Sequence, residues 1–343
     1  MKTPVLILFG PTASGKTALV EKLFGNGHRK AEIISADSMQ VYRGLDIGTA
    51  KPSPAERAKL PHHLIDIKSP DEPFNAGEFV RRAEEACFAA AGRGALPVVS
   101  GGTGFYLKNL VMGLSEAPPS DLCIRQNLKK ELSSRGAASL MEELRQADPV
   151  NAARIHINDE YRLLRALEVY RLTGRPLSSY SSPWNKVTDT NSSQRNVTCS
   201  EGSSFNSTFR FLLIGLRRSR EELYHRINTR TAAMFRADLP AEVRGLYEAG
   251  YTPSDPGLRA IGYREFFVED TASCESGWRL SQDMAGVQAL IAQNSRRYAK
   301  RQITFFASLP GVTWFDLKGA DHGNGNFVEA AIRVEHELRA FLK

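Results

Sequence analysis

The stretch that most constrains this chain lies near its amino terminus. An unbroken apolar run, Val5–Phe9, stops at Gly10 and opens into GPTASGKT, residues 10–17. Apolar residues without alternation suit a strand covered on both faces, as in a parallel sheet. The eight residues fit G-x-x-x-x-G-K-[ST] at each fixed position, and Thr17–Phe24 reads as a helix, so strand, loop and helix follow in the order a phosphate loop (P-loop) requires. Such a loop, built here from Gly10, Pro11, Thr12, Ala13, Ser14, Gly15, Lys16 and Thr17, curls its backbone N–H groups around an anion at the positive end of the helix dipole. Lys16 adds a point charge, and the Thr17 hydroxyl is placed to reach a Mg²⁺ ion on the phosphates. A nucleoside triphosphate and a pyrophosphate ester present much the same anion, so the loop alone leaves its ligand open.

The rest of the chain extends that first unit. Ala31–Ser35 and Leu96–Ser100 are further short strands, Glu78–Ala91 has helical spacing, and a helix is expected from Phe105. Strands alternating with helices imply an α/β domain with a parallel sheet. After Gly113 the pattern becomes helical: Leu122–Arg135, Ser139–Gln146 and Asp159–Leu172, the last with Leu163, Leu164, Leu167 and Tyr170 on one face. Ser178–Thr208 is rich in Ser, Asn and Thr and reads as a long loop; its N-x-[ST] triplets at Asn191, Asn196 and Asn206 reflect that composition. Phe211–Leu216 returns to strand, followed by helices at Arg220–Arg236, Glu242–Ala249 and Met284–Ala307, a late edge strand at Val312–Leu317 and a closing helix at Val328–Leu342. The expected architecture is an α/β, P-loop NTPase-like parallel-sheet core, residues 1–117 and 208–343, interrupted by a mostly helical insertion domain at 118–207.

At 343 residues the chain can bury a core without disulfide staples. Cys87, Cys123, Cys199 and Cys274 have no metal-ligand spacing and read as reduced thiols of a cytoplasmic protein. No apolar run reaches the roughly 18 residues of a membrane span, and Val5–Phe9 is too short for a secretory leader.

In open α/β sheets the carboxyl ends of strands face the ligand crevice. Asp37 follows the second strand and is a candidate proton acceptor or water-mediated Mg²⁺ holder; an N-cap is the structural alternative. GGTGFYLKNL (residues 101–110) follows the third strand, and Thr103 is its candidate ligand-facing residue. An Asp closing that strand, usual where Mg²⁺ serves ATP hydrolysis, is replaced by Ser100, with Asp66 a weak substitute, which argues against an ATPase. Positive charge gathers downstream. Arg210–Arg230 carries six arginines, RRYAKR (296–301) four bases, and RAIGYRE (259–265) sets Tyr263 beside Arg264. With Tyr161, Arg162 and Arg165 and a net charge of +7, these clusters suit phosphate contact and base stacking on RNA, or else are solvated helix faces.

GPTASGKT, DSMQVYRGLDIGTAKP (37–52), HHLIDI (62–67), GGTGFYLKNL, RALEVYRLTGRPLS (165–178), RAIGYRE and KRQITFF (300–306) occur in that order. Together they resemble the bacterial tRNA dimethylallyltransferase, or tRNA isopentenyl-pyrophosphate transferase, family over about residues 4–306. The chain departs in carrying Phe105 where Leu is frequent and in a longer Ser/Asn-rich loop. The resemblance implies transfer of a dimethylallyl group from dimethylallyl diphosphate to N6 of the adenosine 3′ of the anticodon in tRNAs reading codons that begin with U. The phosphate loop would then hold the leaving diphosphate with Mg²⁺, which accounts for the missing aspartate. By similarity Asp37 accepts the amine proton, and Lys16, Thr17 and an arginine of RINTR stabilise diphosphate; Arg226 and Arg230 both fit, with Arg226 preferred. The tRNA contacts implied are Asp37, Ser38, Met39, Gln40, Thr103, Arg125, Tyr161, Arg162, Arg165, Arg259, Gly262, Tyr263 and Arg264, with the helical insertion gripping the anticodon stem-loop. A membrane or a stable protein partner is not implied. The rival readings are a small-molecule kinase, an RNA-binding protein without catalysis, and an isopentenyltransferase acting on a free adenine nucleotide.

Overall fold

The computed structural model describes residues 2–180, 208–270, 277–318 and 325–343. Most of the Ser178–Thr208 loop, its three N-x-[ST] asparagines, Cys199 and Cys274 lie outside the described residues. The chain forms two compact units, Met1–Val111 with Asn196–Lys343, and Met112–Arg195.

The first unit is built on a six-stranded sheet, parallel at every pairing. Its strands are β1 (Thr3–Phe9), β2 (Ala31–Ala36), β3 (His62–His63), β4 (Leu96–Gly101), β5 (Phe209–Arg217) and β8 (Thr313–Asp316), in the order β3-β2-β4-β1-β5-β8. Register decides where the motifs meet. Phe9 of β1 and Ala36 of β2 both pair with Gly101 of β4, so three strands end level. Gly10, Asp37 and Gly102 therefore leave the sheet side by side.

Residues on β1 alternate between faces. Leu6 and Leu8 join a buried cluster with Leu19 and Val20 of α1 (Lys16–Phe24) and Val334 and Leu338 of α11 (Gly325–Leu342). Phe9, on the opposite face, packs against Phe306 of α10 (Met284–Phe306), ring centroids 4.8 Å apart. A second cluster gathers Val41, Tyr42, Leu45, Leu239, Val243, Tyr263 and Phe266 around α8 (Arg220–Arg236) and α9 (Leu239–Glu248).

Helix α2 (Pro54–Lys59), strand β3 and the antiparallel pair β6 (Phe267–Asp270) and β7 (Gly277–Leu280) escape the sequence reading. Helix α2 buries no residue and so has no apolar period; it is started instead by a capping box between Ser53 and Glu56. β3 is two residues long, and β6 and β7 four each, too short for alternation to register. Helices α3 (Ala76–Gly92) and α4 (Gly104–Met112) flank β4 in the chain as expected.

In the second unit α5 (Leu122–Ala147) is broken at Gly136 (φ 76°, ψ 163°), which separates the two expected helices. Leu128, Leu140, Met141 and Leu144 of α5 pack against Leu163, Leu164 and Leu167 of α7 (Glu160–Thr173); the short α6 (Pro149–Ala152) joins them. Glu168, fully buried on α7, accepts hydrogen bonds from the Asp121 N–H (2.7 Å), the Ser120 hydroxyl, Arg125 (3.0 Å) and Arg165 (3.1 Å).

Candidate active site

Loop 10–17 leaves β1 and turns into α1 through two left-handed residues, Ala13 (φ 63°) and Gly15 (φ 103°). The second demands glycine, because a Cβ there is sterically disfavoured. Ser14 is fully buried, and its carbonyl accepts from Arg218 (2.9 Å), itself ion-paired to Glu222. Arg226 donates to the Ala13 carbonyl (2.8 Å). Lys16 folds over the loop and donates to the Gly10 and Pro11 carbonyls, both at 2.9 Å. Burial and the neighbouring Arg230 pull its ammonium down from 10.5 to about 8, Asp37 opposing them. Thr17 is exposed at the start of α1.

A cavity of about 790 Å³ lies over this loop, lined among others by Lys16, Thr17, Asp37, Arg226 and Arg230. A second, of about 320 Å³, is lined by Ser38, Met39, Ile261, Arg259, Arg264 and Arg301. Both cavities are lined by Thr12, Asp37, Thr49, Arg230 and Tyr298, which form a neck between them. The anion cradle is thus on one side of Asp37 and a space fringed by arginine on the other.

Asp37 caps no helix. Its carboxylate accepts from the Met39 (2.9 Å) and Gln40 (3.4 Å) N–H groups in an Asx turn, which leaves its second oxygen outside those bonds. The Ser38 N–H donates to the Thr103 hydroxyl (3.0 Å), and the Thr103 N–H donates to the Ala36 carbonyl (3.1 Å), tying the β2 and β4 loops together. Gln40 and Arg230 both donate to the Thr49 carbonyl, at 3.3 Å each. Burial lowers the Arg230 guanidinium, again against Asp37. Burial pushes the Tyr298 phenol up to about 12, with Asp37 adding to the rise.

Other expected residues are placed differently. Tyr263 is fully buried; its hydroxyl donates to Glu242 (2.6 Å) and accepts from the Gly48 N–H (3.1 Å). It therefore braces the 46–48 turn and presents no ring for base stacking. Gly262 beside it is buried, with φ 102°. Phe306 is core for the same reason. Asp66 is bonded to Lys51 (2.6 Å) and Arg57 (2.8 Å) and does not line the anion cavity, so it is no substitute metal ligand. Arg259 and Arg264 are exposed at the second cavity, Arg264 3.6 Å from Glu265. In the helical unit Arg125 and Arg165 are committed to Glu168, and Arg125 lies 4.6 Å from the Tyr161 ring, whereas Tyr161 and Arg162 are largely exposed.

The sequence reading missed Glu242, Thr49, Tyr298 and Gln302. Glu242 accepts from the three consecutive N–H groups of Asp46 (3.1 Å), Ile47 (2.8 Å) and Gly48 (3.3 Å) and so sets the turn that carries Thr49. No local pattern announces such a contact across nearly 200 positions. Gln302 stands inside KRQITFF, where only the bases and aromatics drew attention.

Fold and crevice together define a P-loop α/β protein in which an anion cradle and a basic cavity share one carboxylate. Comparison with known proteins narrows this. The family model described as IPP transferase matches residues 40–309, and the chain belongs to that family. The tRNA dimethylallyltransferase of Geobacter sulfurreducens is 41% identical over 315 residues, 92% of each chain. That of Geobacillus kaustophilus is 40% identical over 325 residues, 93% of this chain and 92% of the relative. Among solved structures, the tRNA isopentenylpyrophosphate transferase of Bacillus halodurans superposes with a TM-score of 0.62 at 32% identity, covering 99% of this chain and 98% of that one. A eukaryotic dimethylallyltransferase acting on tRNA, at 23% identity, shares the fold with a TM-score of 0.72 over 98% of this chain and 80% of that one.

Proposed function

We propose that the protein transfers a dimethylallyl group from dimethylallyl diphosphate to N6 of the adenosine 3′ of the anticodon in tRNAs reading codons that begin with U. The observation that carries this reading is the neck: one carboxylate, Asp37, borders both the anion cradle and the arginine-fringed cavity. Family membership supports it.

Diphosphate lies on loop 10–17 with Lys16, Arg226 and Arg230 around it, and the target adenine enters from the second cavity. Leaving the anticodon stack costs it a few kcal/mol. The C1–O bond of the donor breaks, the N6–C1 bond forms, and the amine proton passes to Asp37, which yields N6-isopentenyladenosine and diphosphate. Cations held in place beforehand stabilise the charge that builds on the leaving group. Arg226 and Arg230 share this work, Arg226 from the loop carbonyls and Arg230 from the neck.

Mg²⁺ fits the donor set. Among the described residues no group of three or more His, Cys, Asp or Glu side chains could hold a metal, but an exposed Thr17 hydroxyl borders the anion cavity. Mg²⁺ commonly takes one or two protein oxygens and completes its shell with phosphate and water. Bound through Thr17, it supplies charge neutralisation on the diphosphate.

Ser38, Met39, Arg259 and Arg264 border the acceptor; Thr103 acts behind them by holding Ser38, Gln40 by holding Thr49, and Gly262 and the buried Tyr263 through the backbone shape they impose. The helical insertion, taken as residues 118–207, holds the anticodon stem-loop through Tyr161 and Arg162, which Arg125 and Arg165 support from below. Among the described residues no helix is long and apolar enough to cross a membrane. A tRNA substrate suits a cytoplasmic enzyme.

The test is incubation with labelled dimethylallyl diphosphate, Mg²⁺ and unmodified tRNA. Label is expected in tRNA, at the adenosine next to the anticodon. Label in AMP alone, or ATP-dependent phosphorylation of a metabolite in its place, overturns the reading.

A further inference from the structure

Gln302 sits on α10, 95% buried, in the wall of the anion cavity beside Tyr298 of the neck. Its carbonyl oxygen accepts from the Thr12 N–H (2.9 Å) in the anion loop, and its amide nitrogen donates to the Gly102 carbonyl (2.7 Å) in the β4 loop. One partner needs an acceptor and the other a donor. A primary amide supplies both from one rigid plane, so its orientation is determined. Gly102 is shaped to this contact, because a Cβ there would lie 2.6 Å from the Gln302 nitrogen.

What the amide joins matters. Thr12 belongs to the cradle and lines both cavities. Gly102 is bonded covalently to Thr103, whose hydroxyl accepts from Ser38, the residue after Asp37. A short path, Thr12 to Gln302 to Gly102–Thr103 to Ser38–Asp37, thus spans from the donor's leaving group to the acceptor's base. Strand register makes the loops neighbours, but neither strand pairing reaches past Gly101. Gln302 joins the two loops beyond the sheet.

We propose that Gln302 is a positioning residue for the transfer: it holds the anion loop and the Thr103–Asp37 loop at the separation that in-line attack requires, and so acts on the chemical step rather than on the binding of either substrate. This rests on the reading under Proposed function. Buried polar groups left without partners shift to find others, and a misplacement of about 1 Å between reacting groups can cost about 10²-fold in rate.

The experiment measures single-turnover transfer from dimethylallyl diphosphate to unmodified tRNA, with calorimetric affinity for each substrate alone, in the full chain. For Gln302→Met, which keeps the length and loses both bonds, the transfer rate constant is expected to fall about 30- to 100-fold while both affinities stay within about threefold. Gln302→Glu, which keeps the acceptor for Thr12 but sets a carboxylate oxygen against the Gly102 carbonyl, is expected to lose at least as much transfer as Met. A double-mutant cycle with Thr103→Val is expected to be non-additive in the transfer rate, since both changes cut one path. Transfer within threefold of wild type in Gln302→Met overturns the proposal, as does a loss of affinity for one substrate that accounts for the whole loss of rate. If Gln302→Met does not fold, Gln302→Glu and its own double-mutant cycle with Thr103→Val decide. Failure of the wild type to transfer any label is a different result and refutes the functional reading itself.

Discussion

Lys16 should make diphosphate binding take up a proton. Its ammonium is held among the Gly10 and Pro11 carbonyls with Arg230 near, and its pKa is drawn down from 10.5 to about 8 by burial and by that arginine. The free protein is therefore about nine-tenths charged at Lys16 at pH 7 and about one-tenth at pH 9. A diphosphate in the cradle favours the charged form and returns the group toward its ordinary value of about 10.4. Binding dimethylallyl diphosphate, without tRNA, should then take up about 0.1 proton at pH 7 and about 0.9 at pH 9, and the affinity should fall about tenfold across that interval. The ester's own terminal ionisation, near 6 for a phosphate, leaves about one-tenth of it protonated at pH 7, which offsets the small uptake there, and is complete at pH 9, where the Lys16 uptake stands unmasked. Calorimetry in buffers of different ionisation enthalpy counts the proton directly. Lys16→Met should bind more weakly at all pH values and take up none. A wild type that takes up no proton at pH 9, with affinity flat from pH 7, would refute the argument that burial and Arg230 govern this lysine. Stability follows with the opposite sign. The native pKa lies below the unfolded one, so the charged lysine costs native stability below pH 8, and that cost fades as pH rises from 8 to 10.5. In the ligand-free protein the Tm of wild type relative to Lys16→Met should therefore rise as pH goes from 8 to 10.5 and be level below pH 8.

Asp37→Asn keeps the oxygen that accepts from Met39, so the turn should survive while the proton acceptor is lost; kcat should drop about 10²- to 10⁴-fold with tRNA affinity within a few-fold, measured by single turnover and filter binding. Unchanged kcat would remove Asp37 as the base. Glu168→Ala strips a fully buried carboxylate from Arg125 and Arg165 and should destabilise the helical unit by about 3–5 kcal/mol, read as lost hydrogen-exchange protection in α5 and α7 with the sheet core unaffected. Arg264→Ala should weaken tRNA binding and lower the slope of log K against log salt by about 1; an unchanged slope would mean that this exposed arginine meets no phosphate.

Much of the donor side could be read without coordinates. The strand before Gly10, the loop through Thr17 and the helix after it are consecutive, so their chemistry is local and the residues spell it out. The same holds for Asp37 and Thr103, each placed directly after a buried strand whose carboxyl end must face the crevice. The two helices of α5 were legible on either side of Gly136. Tertiary structure decided the rest. Tyr263 looked like a stacking ring beside a basic residue, but composition does not say which way a ring faces, and it turned inward. Asp66 looked like a spare metal ligand until Lys51 and Arg57 were found on it. Arg125 and Arg165 carry charge in the sequence and spend it on Glu168 in the fold. Glu242 holds a backbone turn nearly 200 residues away, and Gln302 links two loops separated from it by 200 residues and more. Local pattern reports the backbone state and the chemical kind of a side chain; which partner a buried polar group finds depends on strand register and helix packing, and those are set only when the whole chain has closed on itself.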